Sequence, residues 1–476
     1  MFELLSISLI PLAICLLCAF RVPNSTLRIS ITGLIWLKLI IVLFITAPVF
    51  YRGNSSVSLF TDFGIDRLSA SFVILTNVVA ASSFSHAALF FRNEDKLGRL
   101  TEPRNESWFY FYAALFLCAM DFVFISENLG FMWIAIEATT LFSAALVYYG
   151  RDKHALEATW KYLIVCSVGI AFALLGTILF FASSQFYSSA GTLDIRMLTN
   201  SAKQLQPKFV QLGYIFCLLG YGTKAGLFPL HTWLPDAHSE APAPASAMLS
   251  GSLLNCSLFA ICRLTELVKH TDHAVLATEV PIIWGALTTL TSSLFLVNQM
   301  GLKRLWAYSS IENVGIMLSA IGLGAPSLFF LQAVNHSLAK VALFLLSGNI
   351  IQLNGSKDVS QIRGVLTSSP ALAFTLVLAA AALTGMPPFG SFISEWLILL
   401  KASDSAQVLC AVVLILSLAL SFVAISVHVL NMVLGSPKQV NKLSLPFSSV
   451  LVPILLCFCS LMLGVTGLAQ IILETL

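Results

Sequence analysis

Charged residues are scarce in this 476-residue chain: Asp, Glu, Lys and Arg together make up 10% of it, whereas hydrophobic residues make up 58%. Soluble globular domains carry about 25% charged residues. The composition therefore excludes a soluble domain. It predicts an all-α polytopic membrane protein, because a helix satisfies its own backbone hydrogen bonds within lipid.

Patterns typical of cofactor and metal sites are also absent. The segment GYGTK, which ends at Lys224, is not a phosphate loop, because GxxxxGK[ST] spacing does not occur. The ten cysteines all lie in apolar runs, where they are expected to pack as small hydrophobic residues. Cys15 and Cys18 have CxxC spacing, but no other candidate ligand accompanies them and no haem or iron–sulfur pattern occurs. We therefore expect no cofactor, no metal site and no electron transfer by this chain.

Long apolar runs predict about fourteen transmembrane helices at about 20 residues per span. The predicted spans are 4–20, 28–49, 68–91, 108–126, 127–149, 160–183, 209–230, 241–263, 275–297, 303–322, 326–352, 369–401, 405–434 and 447–471. Two groups of five helices, about 108–263 and about 275–434, each have prolines in the fourth helix, at Pro229 and at Pro387–Pro388. Helices interrupted at corresponding places are typical of inverted-repeat transporters. We expect two such repeats within one membrane domain, residues 1–476.

Loop cations predict the orientation of the chain, because Lys and Arg are enriched in cytoplasmic loops. The loops after odd-numbered helices hold Arg21, Arg28, Arg92, Lys96, Arg99, Arg104, Arg151, Lys153, Lys161, Lys303, Arg304, Lys357, Arg363, Lys438 and Lys442. The loops after even-numbered helices hold Arg52, Arg67, Arg196, Lys203, Lys208, Arg263, Lys269 and Lys401. The richer, odd-numbered loops are predicted to face the cytoplasm, so both termini are predicted on the periplasmic or outer side.

The segment from Gly220 to Gly251, GYGTKAGLFPLHTWLPDAHSEAPAPASAMLSG, places Lys224 in an apolar helix and then interrupts that helix with prolines. A charge at bilayer depth costs about 2.5–3.5 kcal/mol on insertion scales. Interrupted backbone is tolerated at that depth only when it is buried in protein or lines a wet cavity. In the alternative interpretation, Lys224 snorkels to the interface and the prolines mark a loop. The pattern favours an ion path.

Several segments resemble the antiporter-like, proton-translocating subunits shared by respiratory complex I, Mrp-type cation/proton antiporters and membrane-bound hydrogenases. The longest is TKAGLFPLHTWLPDAHSEAPAPASA, which begins at Thr223. The others, in family order, are GIDRLS (64–69), WIAIEATTL (133–141), LKRLWAYSSIENVGI (302–316), NHSLAKVALFL (335–345) and GMPPFGSFISEW (385–396). Within the family, EATTL, SSIENVG and SGSLLNC are most similar to the F subunit of hydrogenase-4 and formate hydrogenlyase-type complexes.

The resemblance implies a relay of intramembrane titratable residues. Glu137 is expected to pair with Lys224; the alternative is a protonated carboxyl that holds helices together. Glu312 would occupy the place of Glu137 in the second repeat. His336 and Lys340 are four residues apart, so they share one helix face. Glu395, just after the second interruption, is expected to be the terminal relay group.

Three further histidines are weaker candidates. His231 and His238 bracket the first interruption, where a switch of charge near pH 6.5 would suit a channel mouth. In the alternative interpretation, given equal weight, each histidine lies at the membrane interface with its hydrogen bonds satisfied and has no role in the relay. His428 either adds a station to the relay or hydrogen-bonds a carbonyl.

Two other polar positions within spans have no settled role. Asn255 occupies the place where complex I subunits of this type carry lysine or histidine. Because asparagine cannot titrate, a relay at this point needs water or another base. Lys38, within LIWLKLIIVLF, could line a polar crevice or snorkel, and snorkelling is favoured.

The resemblance implies a proton-translocating membrane subunit of a redox-driven complex, of hydrogenase or formate hydrogenlyase type or complex I-like. The redox chemistry would belong to soluble subunits with iron–sulfur centres, so this chain would not itself be catalytic. A subunit of an Mrp-type cation/proton antiporter is the second hypothesis. A membrane subunit of an inorganic-carbon-uptake complex, or a structural subunit that no longer pumps, is the third. Expected partners are other membrane subunits, such soluble proteins, protons or sodium ions, and the lipid of a bacterial or archaeal plasma membrane; no nucleic acid is expected.

Overall fold

A computed structural model of the chain describes residues 2–20, 23–51, 57–60, 62–97, 104–186, 188–436 and 445–476. Most of these residues are helical. Five of the loop cations used to predict orientation, Arg21, Arg52, Arg99, Lys438 and Lys442, lie outside the described residues.

The described residues contain twenty α-helices and one β-hairpin. The helices are α1 Phe2–Ala19, α2 Asn24–Tyr51, α3 Arg67–Lys96, α4 Arg104–Ile125, α5 Leu129–Val147, α6 Lys153–Ser184, α7 Ile195–Asn200, α8 Pro207–Ala225, α9 Trp233–Glu240, α10 Ala243–Met248, α11 Leu254–Lys269, α12 Ala274–Leu296, α13 Leu302–Gly322, α14 Pro326–Asn354, α15 Val365–Ser368, α16 Pro370–Leu383, α17 Gly390–Asp404, α18 Val408–Val433, α19 Ser448–Val465 and α20 Leu468–Thr475. A π-helical turn, Leu249–Leu253, joins α10 to α11. The antiparallel hairpin pairs β1, Val57–Phe60, with β2, Phe63–Ile65.

Ten helical stretches of the described chain are long and apolar enough to cross a membrane. They are Asn24–Tyr51, Arg67–Lys96, Glu106–Ile125, Leu129–Gly150, Lys153–Ser184, Ala243–Lys269, Ala274–Leu296, Pro326–Asn354, Val408–Val433 and Ser448–Val465. The all-α polytopic membrane fold is therefore confirmed. The remaining four predicted spans coincide with α1, with α8 and the start of the interruption after it, with α13 and with the interrupted pair α16–α17. The count of fourteen and the two repeats stay predictions.

Two interruptions divide helices in the middle of the bundle. The helix α8 ends at Ala225, and Gly226 caps it at φ +83°, a left-handed conformation that glycine adopts without steric cost. The chain resumes as α9 after Pro229, and in the same way α16 and α17 are separated by a segment that contains Pro387–Pro388. The first interruption places the non-helical residues Gly226 and Leu227 in the interior, whereas Met386, Pro387 and Pro388 of the second are exposed.

The helices α6 and α8 contact each other through glycines. A Cβ atom at Gly220 of α8 would lie 2.5 Å from the carbonyl oxygen of Gly169 on α6. A Cβ at Gly176 would lie 2.6 Å from the carbonyl oxygen of Gly213. Small residues of this kind let membrane helices approach closely. The backbones of α6 and α8 therefore approach closely at these glycines.

The centre of the bundle is formed by α10, α11, α13 and α14, whose residues are almost all buried. By contrast, α2, α6, α12 and α18 bury one face and expose large apolar residues on the other, as expected beside lipid. Many polar and charged side chains are nevertheless buried in the interior.

Candidate functional site

Lys224 lies at the end of α8, immediately before the first interruption, and its side chain is fully buried. Its Nζ donates hydrogen bonds to the hydroxyl of Tyr162 on α6, at 2.6 Å, and to Thr140 Oγ1 on α5, at 2.8 Å. The ammonium also lies 4.7 Å from the centre of the Tyr162 ring, within the range of a cation–π contact. The interpretation in which Lys224 snorkels is therefore wrong.

Glu137, on α5, is half-buried and reaches Lys224 through a hydroxyl. Thr140 Oγ1 donates to Glu137 Oε2 at 3.3 Å while it accepts from Lys224 at 2.8 Å. Among the described residues, the carboxylate and the ammonium form no direct ion pair within 4 Å. The two predicted residues thus belong to one network, and Thr140 is the residue that joins them.

Tyr162 links this network to α9. Its hydroxyl is 2.5 Å from Ser143 Oγ, and its ring centre is 4.7 Å from that of Trp233. The Trp233 indole donates to the carbonyl of Thr223 at 2.9 Å. Thr223 is one of the last residues of α8. The start of α9 is therefore held against the end of α8 across the interruption.

Asn255 lies on α11, directly after the π-helical turn, and contacts α14. Its Nδ2 donates to the Gly251 carbonyl at 3.0 Å and to Ser337 Oγ at 3.1 Å. Its Oδ1 accepts no hydrogen bond in the described part of the chain. The neighbour of Ser337, His336, is also buried, and neither of its ring nitrogens makes a hydrogen bond of ordinary geometry there. Buried polar atoms of this kind are normally paired with ordered water.

Lys340, one turn after His336 on α14, is fully buried. Its Nζ donates to the Trp306 carbonyl at 2.8 Å and to Ser309 Oγ, both on α13. Like Lys224, it is held by uncharged oxygens. The two intramembrane lysines predicted for the relay therefore have similar surroundings.

The two remaining predicted carboxyls are Glu312, on α13, and Glu395, on α17. Both are buried, and their Oε1 atoms accept no hydrogen bond from the described residues. The Glu395 carboxylate packs against Gly385 across the second interruption, at a point where any Cβ would overlap it.

A hydrogen-bonded chain of amides and a hydroxyl runs beside these two glutamates. Gln332 Nε2 donates to Asn313 Oδ1 at 2.8 Å, and Ser394 Oγ donates to Gln332 Oε1 at 2.5 Å. Asn335 Nδ2 donates to Ser394 Oγ at 3.2 Å. Asn313 follows Glu312 in the chain and Ser394 precedes Glu395, so the network connects the surroundings of the two carboxyls.

The three weaker histidine candidates lie in different places. His231 lies in the first interruption among the rings of Phe228, Phe295 and Tyr308. His238, on α9, stacks on Phe344 with ring centres 4.7 Å apart. Nδ1 of both histidines has no hydrogen-bond partner in the described residues. His428 is half-buried on α18, and its Nε2 is 3.3 Å from the Leu296 carbonyl.

The prediction that Lys38 snorkels is wrong. Lys38 is fully buried and forms an ion pair with Asp121 of α4. Asn77 of α3 donates to the same carboxylate, from Nδ2 to Oδ1, at 2.9 Å. The reason is tertiary: α2 turns this face towards α3 and α4, where a carboxylate meets the ammonium inside the protein. Asp121 carries the same signal that indicated Glu137, an acid within an apolar run, and was missed.

Sequence comparisons place these features in a known group. The family model described as NADH:quinone oxidoreductase/Mrp antiporter, TM, matches residues 126–421. The chain is 37% identical over 396 residues to the hydrogenase-4 component F homolog of Methylacidiphilum infernorum (isolate V4), covering 81% of this chain and 83% of that protein. It is 31% identical over 307 residues to Na(+)/H(+) antiporter subunit A1 of Staphylococcus saprophyticus, covering 60% of this chain and 37% of that protein.

Two solved membrane complexes contain chains of the same fold. One is the Mrp complex from Dietzia sp. DQ12-45-1b, with a TM-score of 0.84 at 18% identity over 100% of this chain and 96% of that chain. The other is the membrane-bound sulfane sulfur reductase, an archaeal respiratory membrane complex, with a TM-score of 0.82 at 22% identity over 98% of this chain and 96% of that chain. Since the family model matches more than half of the residues, this multi-pass membrane protein belongs to the NADH:quinone oxidoreductase/Mrp antiporter family of antiporter-like membrane subunits.

Proposed function

We propose that the chain is the proton-translocating subunit of a multisubunit, redox-driven membrane complex of the hydrogenase or formate hydrogenlyase type. The observation that carries the proposal is a set of fully or nearly fully buried ionisable groups, Lys224, His336, Lys340, Glu312 and Glu395, within an apolar helical bundle. Ionisable residues inside membrane segments are costly and typically mark ion paths. The identity to the hydrogenase-4 component F homolog favours this type of complex.

The architecture that we propose has fourteen membrane segments and two inverted five-helix repeats, about 108–263 and about 275–434. One interrupted helix occupies the fourth position of each group, α8–α9 in the first and α16–α17 in the second. This correspondence supports the assignment of two repeats. We also infer a bacterial or archaeal plasma membrane and termini on the outer side, from the distribution of loop cations.

The surroundings of the lysines suit reversible proton binding. A relay lysine must lose its proton and regain it, which a tight ion pair opposes. Lys224 donates to two hydroxyls, and Lys340 donates to a hydroxyl and a carbonyl, so neither is locked by a direct carboxylate contact. Hydrogen bonds between neutral partners and an ammonium are weaker than those to a carboxylate.

Glu137 supplies a negative charge one hydroxyl away from Lys224. Rotation of Thr140 or Glu137 would lengthen or shorten that link, and thereby change how well the charged lysine is stabilised. The proton would pass from this part of the site through the Asn255 and His336 region to Lys340 and then Glu395. Asn255, which cannot titrate, would hold water on the path.

The proposed partners follow from the chemistry that the chain lacks. Redox chemistry would take place in soluble subunits with iron–sulfur centres, and other membrane subunits would cover the sides of this bundle. In this proposal the chain itself moves protons and catalyses no reaction.

The test is translocation by the assembled complex in proteoliposomes. Lys224→Met should abolish proton translocation, and Lys224→Arg should nearly abolish it, because arginine stays charged at any working pH. Lys208→Met is a matched control, since Lys208 is exposed near the start of the same helix, and it should leave the rate unchanged. A complex with Lys224→Arg that translocates at the native rate would eliminate the deprotonating relay.

A second candidate function is cation/proton exchange of the Mrp type. The 31% identity to a subunit of a Na(+)/H(+) antiporter favours it. Sodium uptake driven by a pH gradient, with no electron donor present, would support this alternative. Translocation that requires an electron donor and is indifferent to sodium would support the redox-driven complex.

A further inference from the structure

A row of polar side chains lies outside the relay, where α3, α14 and α19 pack together. Its members are His86, Asn93 and Glu94 of α3, Asn349 and Gln352 of α14, and Ser449 of α19, and we call this row the polar seam. We propose that the polar seam is a hydrated crevice through which protons enter, with Glu94 at its aqueous mouth and His86 as the group that receives the proton. The proposal rests on the proposed proton-translocating function.

The outer part of the polar seam is linked by hydrogen bonds and reaches the aqueous surface. Glu94 is half-buried, two residues before the end of α3, and accepts from Gln352 Nε2 at 2.7 Å. Asn93 Nδ2 donates to Gln352 Oε1 at 3.4 Å. Loop cations such as Lys96 predict that this end of α3 faces the cytoplasm. The mouth of the polar seam is therefore predicted on the cytoplasmic side.

The inner part of the polar seam surrounds His86, which is 0% exposed. The Asn349 side chain and the Ser449 carbonyl face its ring. Asn349 Nδ2 donates to that carbonyl at 2.9 Å. Within the described residues, neither ring nitrogen makes a hydrogen bond of ordinary geometry, and Asn349 Oδ1 and Ser449 Oγ have no partner. The hydroxyl of Ser83, one turn before His86 on α3, is also buried and without a partner there.

Unpaired polar atoms of this kind fit water. Leaving a buried donor or acceptor unpaired costs about 1–3 kcal/mol, and apolar side chains at these positions would avoid that cost. Buried water typically makes about three hydrogen bonds to such atoms. A ring that carries both protons can donate to Asn349 Oδ1 and to the Ser449 carbonyl, the two acceptors that face it. The inner part of the polar seam can therefore hold water and accept a proton at His86.

No ion pair fixes the charge state of His86. In the part of the chain that the structure describes, no charged side chain acts on the ring, and the groups that face it are the neutral Asn349 amide and the Ser449 carbonyl. Lys38, by contrast, is held by Asp121. His86 can therefore gain and lose a proton without breaking a salt bridge.

The polar seam leads towards the relay along α3. Ser83 lies between His86 and Val79, which are seven residues apart on this helix. Val79 packs against the π-helical turn, since a Cβ at Gly251 would lie 3.2 Å from Val79 Cγ1. The Gly251 carbonyl accepts from Asn255, which lies on the proposed path. His86 is therefore about 10 Å along the helix from the contact between α3 and that path.

The first experiment measures whether water reaches His86 in the native assembled complex, and it does not depend on translocation. The Cε1 hydrogen of a histidine ring exchanges with deuterated water only where solvent has access, and mass spectrometry of peptides follows it. His86 should lose most of its protium by the time that exposed His154 has exchanged completely. Retention of the hydrogen at His86 would show a dry ring and overturn the inference.

The second experiment tests whether His86 carries protons. In His86→Gln the side-chain amide has two N–H donors for Asn349 Oδ1 and the Ser449 carbonyl, but it cannot take up a proton. A histidine with a purely structural role would be replaced without loss. A proton-entry site should instead slow translocation in proteoliposomes about tenfold or more.

A second variant keeps the test decisive if His86→Gln does not assemble. Asn349→Leu removes an acceptor from the ring and fills the crevice, so translocation should also fall about tenfold or more. The matched control is Asn354→Leu. Asn354 is also buried on α14, but its Nδ2 donates to the Ile350 carbonyl at the end of the helix. This control should translocate at the native rate.

Lys224→Met is measured in parallel to separate the two proposals. If it stops translocation while assembled His86→Gln and Asn349→Leu complexes run at the native rate, the relay stands and the proposed entry is overturned. If Lys224→Met itself runs at the native rate, the proposed function fails and this inference fails with it. Exchange at His86 together with slow translocation in the His86 and Asn349 variants, with the control intact, supports the entry crevice.

Discussion

Glu137 and Lys224 are joined by a single hydroxyl: Thr140 Oγ1 accepts from Lys224 Nζ at 2.8 Å and donates to Glu137 Oε2 at 3.3 Å. A carboxylate and an ammonium in direct contact would be difficult to separate at this depth. An intervening hydroxyl lets the acid influence the lysine and still leaves the proton free to move.

Replacing Thr140 with valine removes the link and keeps the shape of the side chain. A hydrogen bond to a charged group is worth about 1.5–3 kcal/mol, so translocation should fall about tenfold or more. Thr140→Ser, which keeps the hydroxyl, should retain most of the rate. Proteoliposome assays of Thr140→Val, Glu137→Gln and the double variant should show non-additive losses, because the two residues act on Lys224 through one contact. Additive losses would mean that they act separately.

Replacing Tyr162 with phenylalanine removes the other hydroxyl that holds Lys224 and keeps the ring. Tyr214→Phe is the matched control: Tyr214 is also buried, and its hydroxyl is 2.9 Å from Thr265 Oγ1. Both variants should lose about 1 kcal/mol of stability in thermal unfolding. Only Tyr162→Phe should slow translocation. Equal translocation rates for the two variants would indicate that Tyr162 contributes only to packing.

Replacing Asn255 with lysine introduces a titratable group on the proposed path. The new ammonium would lie among the Gly251 carbonyl and Ser337, which now bind the amide. Transport should then depend on pH differently from the native complex, whereas Asn255→Gln, which keeps the amide, should preserve the native profile. An unchanged pH profile for Asn255→Lys would place position 255 off the path.

Replacing Gly385 with alanine should displace the Glu395 carboxylate, because a Cβ there would overlap it. Gly385 also has φ +65°, so alanine should cost about 1–3 kcal/mol of stability. Translocation should fall towards that of Glu395→Gln. Gly33→Ala, on α2 with no heavy atom within 4 Å of the added Cβ, is the neutral control. Native translocation by an assembled Gly385→Ala complex would show that the carboxylate position does not matter.

The sequence indicated the helical class, both interrupted helices and several of the charged side chains inside the bundle. An acid or lysine within an apolar run is a local signal, and it led to Glu137, Lys224 and Lys340. Lys38 was misjudged because a lysine that snorkels and one that is paired look alike in sequence. The difference depends on which helix face meets Asp121, and that is a tertiary property.

The hydroxyl ligands could not be predicted for a different reason. Serine and threonine in membrane helices commonly donate to the carbonyl four residues earlier, as Thr159 and Thr177 do here. Thr140 and Ser309 look the same in sequence, yet they bind the two lysines. Only the tertiary contacts that bring Thr140 to Lys224 and Ser309 to Lys340 distinguish them.

The glycine contact between α6 and α8 also has a mechanical consequence. Since the two backbones approach closely at these glycines, a relative shift of the two helices would disturb that fit. We therefore expect Lys224 and Tyr162, which lie on these two helices, to keep their spacing. In the proposed relay, the contact that can change is then the one between Lys224 and Thr140 on α5.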